Sequence, residues 1–391
     1  MTPTHTVLLF DVDGVLVHPV GYKVALRATV GYFLDLMGQP DYAPTEDEIA
    51  VFEACGITNE WDSGAICVAA LLTDALAANP ALRRATLEET LAAIRDARLT
   101  LNRPDYAALA RQILDATPED AKDVPAARYL ALISQPTADH LPLLSALLAD
   151  VYAMDTPTTR IFQTHTLGSA RYTEAYGVPA PLERESTLST HDRPLLSPEM
   201  RDRLLAWSAE PGHGAAIFTA RPSLPPVRTE RVRENVYSPE AELALELLGL
   251  DGQIPLMAQG SVGWLARQRG RSPAEYVKPS PVQALAAIGA ATSGDEPASL
   301  LAAAALAEDG RLEGPLAALR GRRVDVTVFE DATGGIRATL SAARMLQAAG
   351  LDVCARAIGV SPHPDKRAVL AAVADHVVDD VNAGLGLVWS D

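Results

Sequence analysis

The hydrophobic pattern of this chain changes at about residue 192, and that change constrains the fold more than any other feature. Before it lie one short apolar run at residues 6–10 and a long stretch of apolar residues at helical spacing. After it, short apolar runs alternate with helical segments. Strands that alternate with helices form parallel sheets with helices on both faces. We therefore expect an α/β fold: a Rossmann-like, doubly wound parallel sheet with a large helical domain inserted after the first strand.

This pattern also predicts domain boundaries. The core should comprise residues 1–18 and 192–391, and the helical insert residues 19–191. The segment 289–322 is rich in alanine, glycine and acidic residues, and we expect it to be a peripheral helical insertion with loose ends. The predicted core strands are Thr6–Phe10, Ala215–Thr219, Ile254–Met257, Val324–Phe329, Asp352–Val360 and His376–Val378.

Charge and composition exclude several classes of partner. The chain has 391 residues, with 33 Lys and Arg against 50 Asp and Glu, which gives a formal net charge of -17. Such an acidic balance argues against nucleic acid or an anionic membrane as partner. No signal-peptide pattern opens the sequence, and its uncharged apolar runs are too short to span a bilayer. We expect a cytoplasmic protein, whose three widely spaced cysteines are reduced and buried.

Two aspartates follow the first apolar run. Asp11 and Asp13 are spaced so that an extended strand would place both carboxylates on one side, and Gly14 lets the backbone turn away. Two carboxylates that leave a buried strand together need a compensating cation or hydrogen-bond network. The pair indicates either a metal-dependent site with a nucleophile and an acid/base group, or a solvated acidic turn.

Two other segments carry polar groups where an apolar run ends. Thr219 is followed by Ala220 and Arg221, so that a hydroxyl and free backbone amides could hold a phosphoryl oxygen. Lys278, one of only four lysines, precedes a helix that opens with proline and could neutralise a phosphate or a carboxylate. Taken singly, each is also compatible with an ordinary turn or a surface lysine.

A second acidic pair ends the strand predicted at 324–329. Glu330 and Asp331 are followed by a turn of small residues that opens a helix. Adjacent carboxylates supply the oxygen ligands that magnesium prefers. The alternative is that Asp331 only caps the helix.

The order of these four segments resembles the haloacid dehalogenase-like superfamily of phosphohydrolases. Its four motifs match Asp11-Val12-Asp13-Gly14, Thr219, Lys278 and Glu330-Asp331, and the string from Phe329 to Ile336 is similar to the fourth motif of the phosphatase and β-phosphoglucomutase branch. The resemblance covers about residues 5–18 and 192–380. The insert is more than twice the size expected for this branch's helical cap, which leaves the substrate open.

The resemblance implies a mechanism and a cofactor. Asp11 would be the nucleophile and Asp13 the acid/base group; Thr219, Ala220 and Lys278 would bind phosphate. Mg²⁺ would be held by Asp11, Asp13 through its carbonyl, Glu330 and Asp331. The helical insert would act as a cap.

Four other residues are candidates for substrate contact. Arg221 follows the hydroxyl motif directly, whereas Lys23, Arg27 and Trp61 lie in the insert. For Lys23 and Arg27 a solvated helix face is the alternative, and Trp61 is compatible with the core of the insert.

The function expected is therefore a Mg²⁺-dependent phosphatase that acts on a small phosphorylated metabolite. A phosphomutase of the β-phosphoglucomutase type retains the same motifs and stays an alternative. So does a catalytically silent protein of the same fold that binds or regulates. The oligomeric state is not predicted.

Overall fold

The computed structural model describes residues 4–118, 124–134, 138–227 and 237–389. Their contacts separate two compact units. The sheet unit contains the described residues of 4–19 and 192–389, and the helical unit those of 20–191. The chain leaves the sheet unit after Pro19 and returns to it at Asp192.

The sheet unit is built on six parallel strands in the order β5-β4-β1-β6-β7-β8. A separate antiparallel pair, β2 and β3, joins the two segments of chain that lead to and from the helical unit. The strands are β1 Thr4–Phe10, β2 Val17–His18, β3 Arg193–Pro194, β4 His213–Phe218, β5 Leu256–Met257, β6 Arg323–Glu330, β7 Asp352–Val360 and β8 His376–Val378.

The helical unit contains nine α-helices among its described residues, and its core forms around three of them, α1, α3 and α8. Capping boxes of Thr45 with Glu48 and of Thr86 with Glu89 open α2 and α4. The helices are α1 Gly21–Met37, α2 Glu46–Ala54, α3 Glu60–Ala78, α4 Leu87–Asp96, α5 Tyr106–Asp115, α6 Pro125–Ser134, α7 Leu141–Leu148, α8 Pro157–Tyr176 and α9 Thr187–His191.

Helices cover both faces of the sheet, as the alternation of elements predicts. Along β1, Val7 and Leu9 belong to one hydrophobic core, whereas Leu8 and Phe10 belong to the other. The first core includes residues of α12, α13, α14 and α16, and the second includes residues of α10, α11 and α18. The helices are α10 Pro198–Ser208, α11 Glu240–Leu248, α12 Gln259–Arg269, α13 Pro281–Ser293, α14 Glu296–Asp309, α15 Gly314–Ala317, α16 Thr333–Ala348, α17 Pro364–Leu370 and α18 Val381–Val388.

The segment 289–322 is helical, as predicted, but the prediction that it is peripheral is wrong. Within this segment α14 packs along α13, and its residues Ala302–Ala305 are almost completely buried in the first core. Small alanine side chains let two helices approach closely, so a composition that resembles a loose segment in fact forms a tight helix pair.

Two other expectations concern burial. Cys67 is buried and Cys55 partly buried, but Cys354 is exposed on β7, so the prediction of three buried cysteines is wrong for that residue. Helix α3 is long and apolar enough to cross a membrane by length and composition alone. Its most apolar window is 72% buried inside the structure, as in the core helix of a soluble protein.

Candidate functional site

The register of the central strands brings the predicted motifs to one edge of the sheet. Phe10 of β1 lies opposite Ile217 of β4 and Phe329 of β6, and the rings of Phe10 and Phe329 stack with centroids 4.7 Å apart. The next residues, Asp11, Phe218 and Glu330, therefore lie at the carboxyl ends of three neighbouring strands. In open parallel sheets this edge is where ligands bind.

Gly14 allows the first acidic pair to approach the second. Its φ of 74° lies in the left-handed region, and a Cβ there would lie 2.3 Å from Oδ2 of Asp331. The backbone nitrogen of Gly14 donates to the carbonyl of Val17 at 2.8 Å and closes the turn after β1. A side chain at this position would push the two acidic strand ends apart.

Three carboxylates form the centre of the site. Oxygen atoms of Asp11, Glu330 and Asp331 lie within 4.8 Å of one another. Burial and the charge of Asp11 raise the pKa of Glu330 well above its ordinary value, against the opposing effect of Lys278. Burial and Asp11 likewise raise the pKa of Asp331. Burial and mutual repulsion therefore make it costly for these carboxyl groups to be ionised together.

Gly335, in the first turn of α16, makes room for this cluster. A Cβ at Gly335 would lie 1.7 Å from Oε1 of Glu330, whereas a Cβ at the neighbouring Gly334 would meet nothing within 4 Å. The close contact with Glu330 therefore requires glycine at position 335, whereas position 334 has room for a side chain.

Two lysines contact the cluster. The Nζ atom of Lys278 lies 3.1 Å from Oδ1 of Asp11 and 2.5 Å from Oε1 of Glu330, and 4.3 Å from the ring centroid of Phe218. Burial alone would lower the pKa of Lys278, but the two carboxylates outweigh it and raise the pKa. Lys366, near the start of α17, forms an ion pair with Asp331.

Asp13 points to a different partner. Both of its carboxylate oxygens accept hydrogen bonds from the guanidinium of Arg221, at 2.6–3.0 Å. The same guanidinium donates to Oδ2 of Asp192 at 2.9 Å, and the side chains of Arg221 and Asp192 are each 1% exposed. Arg221 therefore lies under the site as part of a buried ionic chain, and the side-chain contact with substrate predicted for it is wrong in this conformation.

Thr219 and Ala220 follow β4 at the same edge. The Thr219 side chain is buried, and its hydroxyl accepts a hydrogen bond from the backbone nitrogen of Arg221 at 3.3 Å. The carbonyl of Thr219 accepts from the buried amide of Gln283 at 2.7 Å, which fixes this strand end against α13. Ala220 is exposed.

The three candidates in the insert lie in the helical unit and differ in their environments. Lys23 forms an exposed ion pair with Glu53 at 2.9 Å. Arg27 is exposed on α1. Trp61 is half-buried among Tyr22, Tyr152 and Phe162, an arrangement typical of a core aromatic cluster.

The residues present fit a divalent cation. The donor set is three carboxylates, the oxygen ligands that a hard cation such as Mg²⁺ prefers. Oε2 of Glu330 is buried and has no hydrogen-bond partner among the described residues, an arrangement that is costly unless a cation or water satisfies it. Asp11, Glu330 and Asp331 are the side chains that could hold such an ion.

Three residues of this site are not predicted from the sequence: Asp192, Gln283 and Lys366. Lysine is scarce in the chain, and that scarcity is a signal that could have singled out Lys366. Asp192 coincides with the predicted domain boundary, but no local pattern indicates its pairing with Arg221. Gln283 lies inside a helix of otherwise apolar character, where a lone buried amide has no sequence signature.

Comparisons with known proteins define the class of fold and nothing finer. An X-ray structure determined as a target of the Northeast Structural Genomics Consortium aligns over 97% of this chain and 97% of its own, with a TM-score of 0.66 and 17% sequence identity. At that identity the likeness concerns the fold alone, an α/β architecture. No family model matches the chain. No curated protein matches it either.

Proposed function

We propose that this protein is a Mg²⁺-dependent phosphatase of the haloacid dehalogenase-like type, acting in the cytoplasm on a small phosphorylated metabolite. The observation that carries the proposal is the position of Asp11: a carboxylate at the end of the central strand, 3.1 Å from a buried lysine and within 4.8 Å of two further carboxylates. The order of the four motifs along the sequence supports the same conclusion.

The chemistry assigned to these side chains is phosphoryl transfer in two steps. In the first, an oxygen of Asp11 bonds to phosphorus, the bond from phosphorus to the ester oxygen breaks, and Asp13 gives a proton to the leaving oxygen. In the second, water bonds to phosphorus, the bond to Asp11 breaks, and the proton from water returns to Asp13. Phosphate leaves, and both aspartates regain their initial states.

Positive charge is needed because a carboxylate approaches a phosphate dianion. Lys278 is the resident cation beside Asp11, and the Thr219 hydroxyl with the backbone after it would hold phosphoryl oxygens. Asp11, Glu330, Asp331 and the Asp13 carbonyl would hold a Mg²⁺ ion, which would supply the further charge neutralisation that the three carboxylates and the phosphate require.

We assign substrate choice to the helical unit, as a cap domain. Its exposed cations, such as Arg27, and its aromatic cluster around Trp61 offer contacts that a phosphorylated small molecule could use. The catalytic motifs all lie in the sheet unit, so that substrate choice and chemistry would depend on different parts of the chain.

The decisive experiment compares wild type with Asp11→Asn. Wild type should hydrolyse 4-nitrophenyl phosphate only when Mg²⁺ is present, and a panel of phosphorylated metabolites then identifies the substrate. Asp11→Asn preserves size and removes the nucleophile, so kcat should fall by roughly a thousand-fold or more while circular dichroism stays unchanged. The exposed Asp251, changed to Asn, is the matched control.

Four results would contradict the proposal or refine it. Full activity in excess chelator excludes the metal site, and wild-type rates in a folded Asp11→Asn protein exclude the nucleophile. Turnover that requires a bisphosphate activator and yields a phosphate isomer instead of free phosphate identifies the mutase. Wild-type protein that hydrolyses nothing on the panel supports the silent binding protein.

A further inference from the structure

We propose that Arg221 is a positioning residue for the acid/base aspartate, and that Asp192 is the anchor that lets it do so. This inference rests on the proposed function and deepens it. The sequence predicts that Arg221 contacts the substrate, because this residue follows the predicted phosphate-binding motif. The contacts of the described residues assign it a different task.

The geometry of the guanidinium supports this task. Nε and Nη2 of Arg221 both donate to Asp13, with distances of 2.6 Å, 2.9 Å and 3.0 Å to its two oxygens. A planar fork that grips both oxygens of a carboxylate fixes the plane of that carboxylate as well as its position. Arg221 is therefore built to hold Asp13 in one direction.

Asp192 fixes the guanidinium in turn. It accepts from Nη2 of Arg221 at 2.9 Å, and its side chain is as completely buried as that of the arginine. The guanidinium of Arg221 is occupied by Asp13 and Asp192, and the side chains of Arg221 and Asp192 are each 1% exposed, whereas that of Asp13 is 36% exposed. The exposed end of this ionic chain is thus the carboxyl group that is assigned the proton transfer.

Asp192 belongs to one of the two chain segments that connect the sheet unit with the helical unit. It is the residue at which the chain returns to the sheet unit, and it directly precedes β3, which pairs with β2 at the chain's exit. Asp13 itself bridges to Val17 at the start of β2. The direction of Asp13 is therefore set by the backbone of both connecting segments together with Arg221.

A leaving-group series tests the proposal. Proton donation matters when the leaving oxygen is a poor leaving group, as in an alkyl phosphate, and little when it is a good one, as in 4-nitrophenyl phosphate. In Asp192→Asn and Arg221→Lys we expect kcat/KM, which reports the first chemical step and not the later hydrolysis that both esters share, to fall by roughly 10- to 100-fold for the alkyl ester, with less than about a three-fold change for the aryl ester. Asp13→Asn should show the same selectivity in more extreme form, and Arg221→Lys should retain more activity than Arg221→Met.

The test also separates the alternatives. If Arg221 binds the substrate phosphate, Arg221→Lys raises KM for both esters and Asp192→Asn behaves as wild type, which overturns the positioning role. Equal losses of kcat/KM for both esters in every variant overturn it as well. Arg221→Met leaves Asp192 buried without its partner; should that protein not fold, the double variant Arg221→Met with Asp192→Asn removes both charges and takes its place.

Failure of the proposed function has a different signature. Wild type would then hydrolyse neither ester. In that case crystal structures of wild type and Asp192→Asn decide the positioning role by themselves. An Asp13 side chain that changes direction in the variant supports it, and one that keeps its direction overturns it.

Discussion

The two lysines of the site differ in how firmly the protein holds them. Lys278 is 10% exposed and lies between two carboxylates over an aromatic ring. Lys366 is 43% exposed, and its ion pair is with Asp331. A charge that lies at the surface is readily displaced, whereas a buried one is part of the structure. Lys366 is therefore a replaceable counterion in the acidic cluster.

Replacing Lys366 should strengthen metal binding. Lys366→Gln removes the ammonium that competes for Asp331, so we expect the Kd for Mg²⁺ to fall by about two- to five-fold, as is typical for an exposed ion pair. Isothermal titration calorimetry measures this without reference to activity. Lys23→Gln, which removes an exposed ion pair in the helical unit, is the control and should leave the Kd unchanged. Weaker binding in Lys366→Gln would show that the ammonium supports the site and does not compete for it.

At the scale of single elements, the first turn of α16 offers a matched pair of glycines. In Gly335→Ala the new methyl group would overlap the Glu330 carboxylate, so the helix start or the acid must move. We expect a loss of about 1–3 kcal/mol in unfolding free energy, together with weaker Mg²⁺ binding. Gly334→Ala has open space and should be neutral or stabilise by up to about 1 kcal/mol. Urea unfolding measures the unfolding free energies of the two variants. Equal values would refute the steric argument.

Helix α8 carries a buried histidine that predicts a dependence of stability on pH. Burial and the Arg184 guanidinium lower the pKa of His165 to about 4. Its Nε2 has no hydrogen-bond partner among the described residues. Between pH 6.5 and 4 the unfolded chain binds a proton that the folded protein does not, so stability falls as the pH falls through this range.

We expect His165 to account for about 1–3 kcal/mol of that loss. Chemical unfolding of His165→Gln at several pH values should show a flatter pH dependence than wild type. The exposed His191, changed to Gln, should leave the dependence as it is. An unchanged slope in His165→Gln would assign the acid sensitivity to other groups.

The elements themselves could be predicted well from the sequence. Strands Asp352–Val360 and His376–Val378 have the predicted bounds, because each rests on a local period with clear stops. The two-residue strands β2 and β3 and the helix α12 could not be predicted in this way, since so short a strand has no period and α12 has little amphipathic contrast.

The residues of the site that the sequence does not predict are held by long-range pairings. The ends of β1 and β6 bring Asp11 and Glu330 together, and this follows from parallel topology and could be anticipated, whereas Lys278 lies in the segment before α13 and not at a strand end. The chain from Asp13 through Arg221 to Asp192 joins residues up to 208 positions apart. No local sequence pattern encodes such a contact. The sequence predicts a substrate contact for Arg221 only because this residue directly follows the predicted phosphate-binding motif.

At the scale of the whole molecule, the two units should be separable by function. We expect Arg27→Ala to change the ratio of kcat/KM between two phosphate esters by about three-fold or more, while the Mg²⁺ requirement stays the same. Arg111→Ala, an exposed arginine elsewhere in the helical unit, is the control. An unchanged ratio in Arg27→Ala would remove this residue from the substrate site. Trp61→Ala is a poorer test, because its aromatic neighbours would lose their packing.

The strand order also has a consequence for biosynthesis. Strand β1 is made first, yet its neighbours in the sheet, β4 and β6, begin at residues 213 and 323. After β1 has been synthesised, about the whole helical unit must therefore be synthesised before β1 can pair with a neighbouring strand. Residues 20–191 are continuous and complete their own core earlier. We expect nascent chains arrested near residue 230 to hold a protease-resistant helical unit beside an unprotected first strand, which is the interval in which this protein most needs a chaperone.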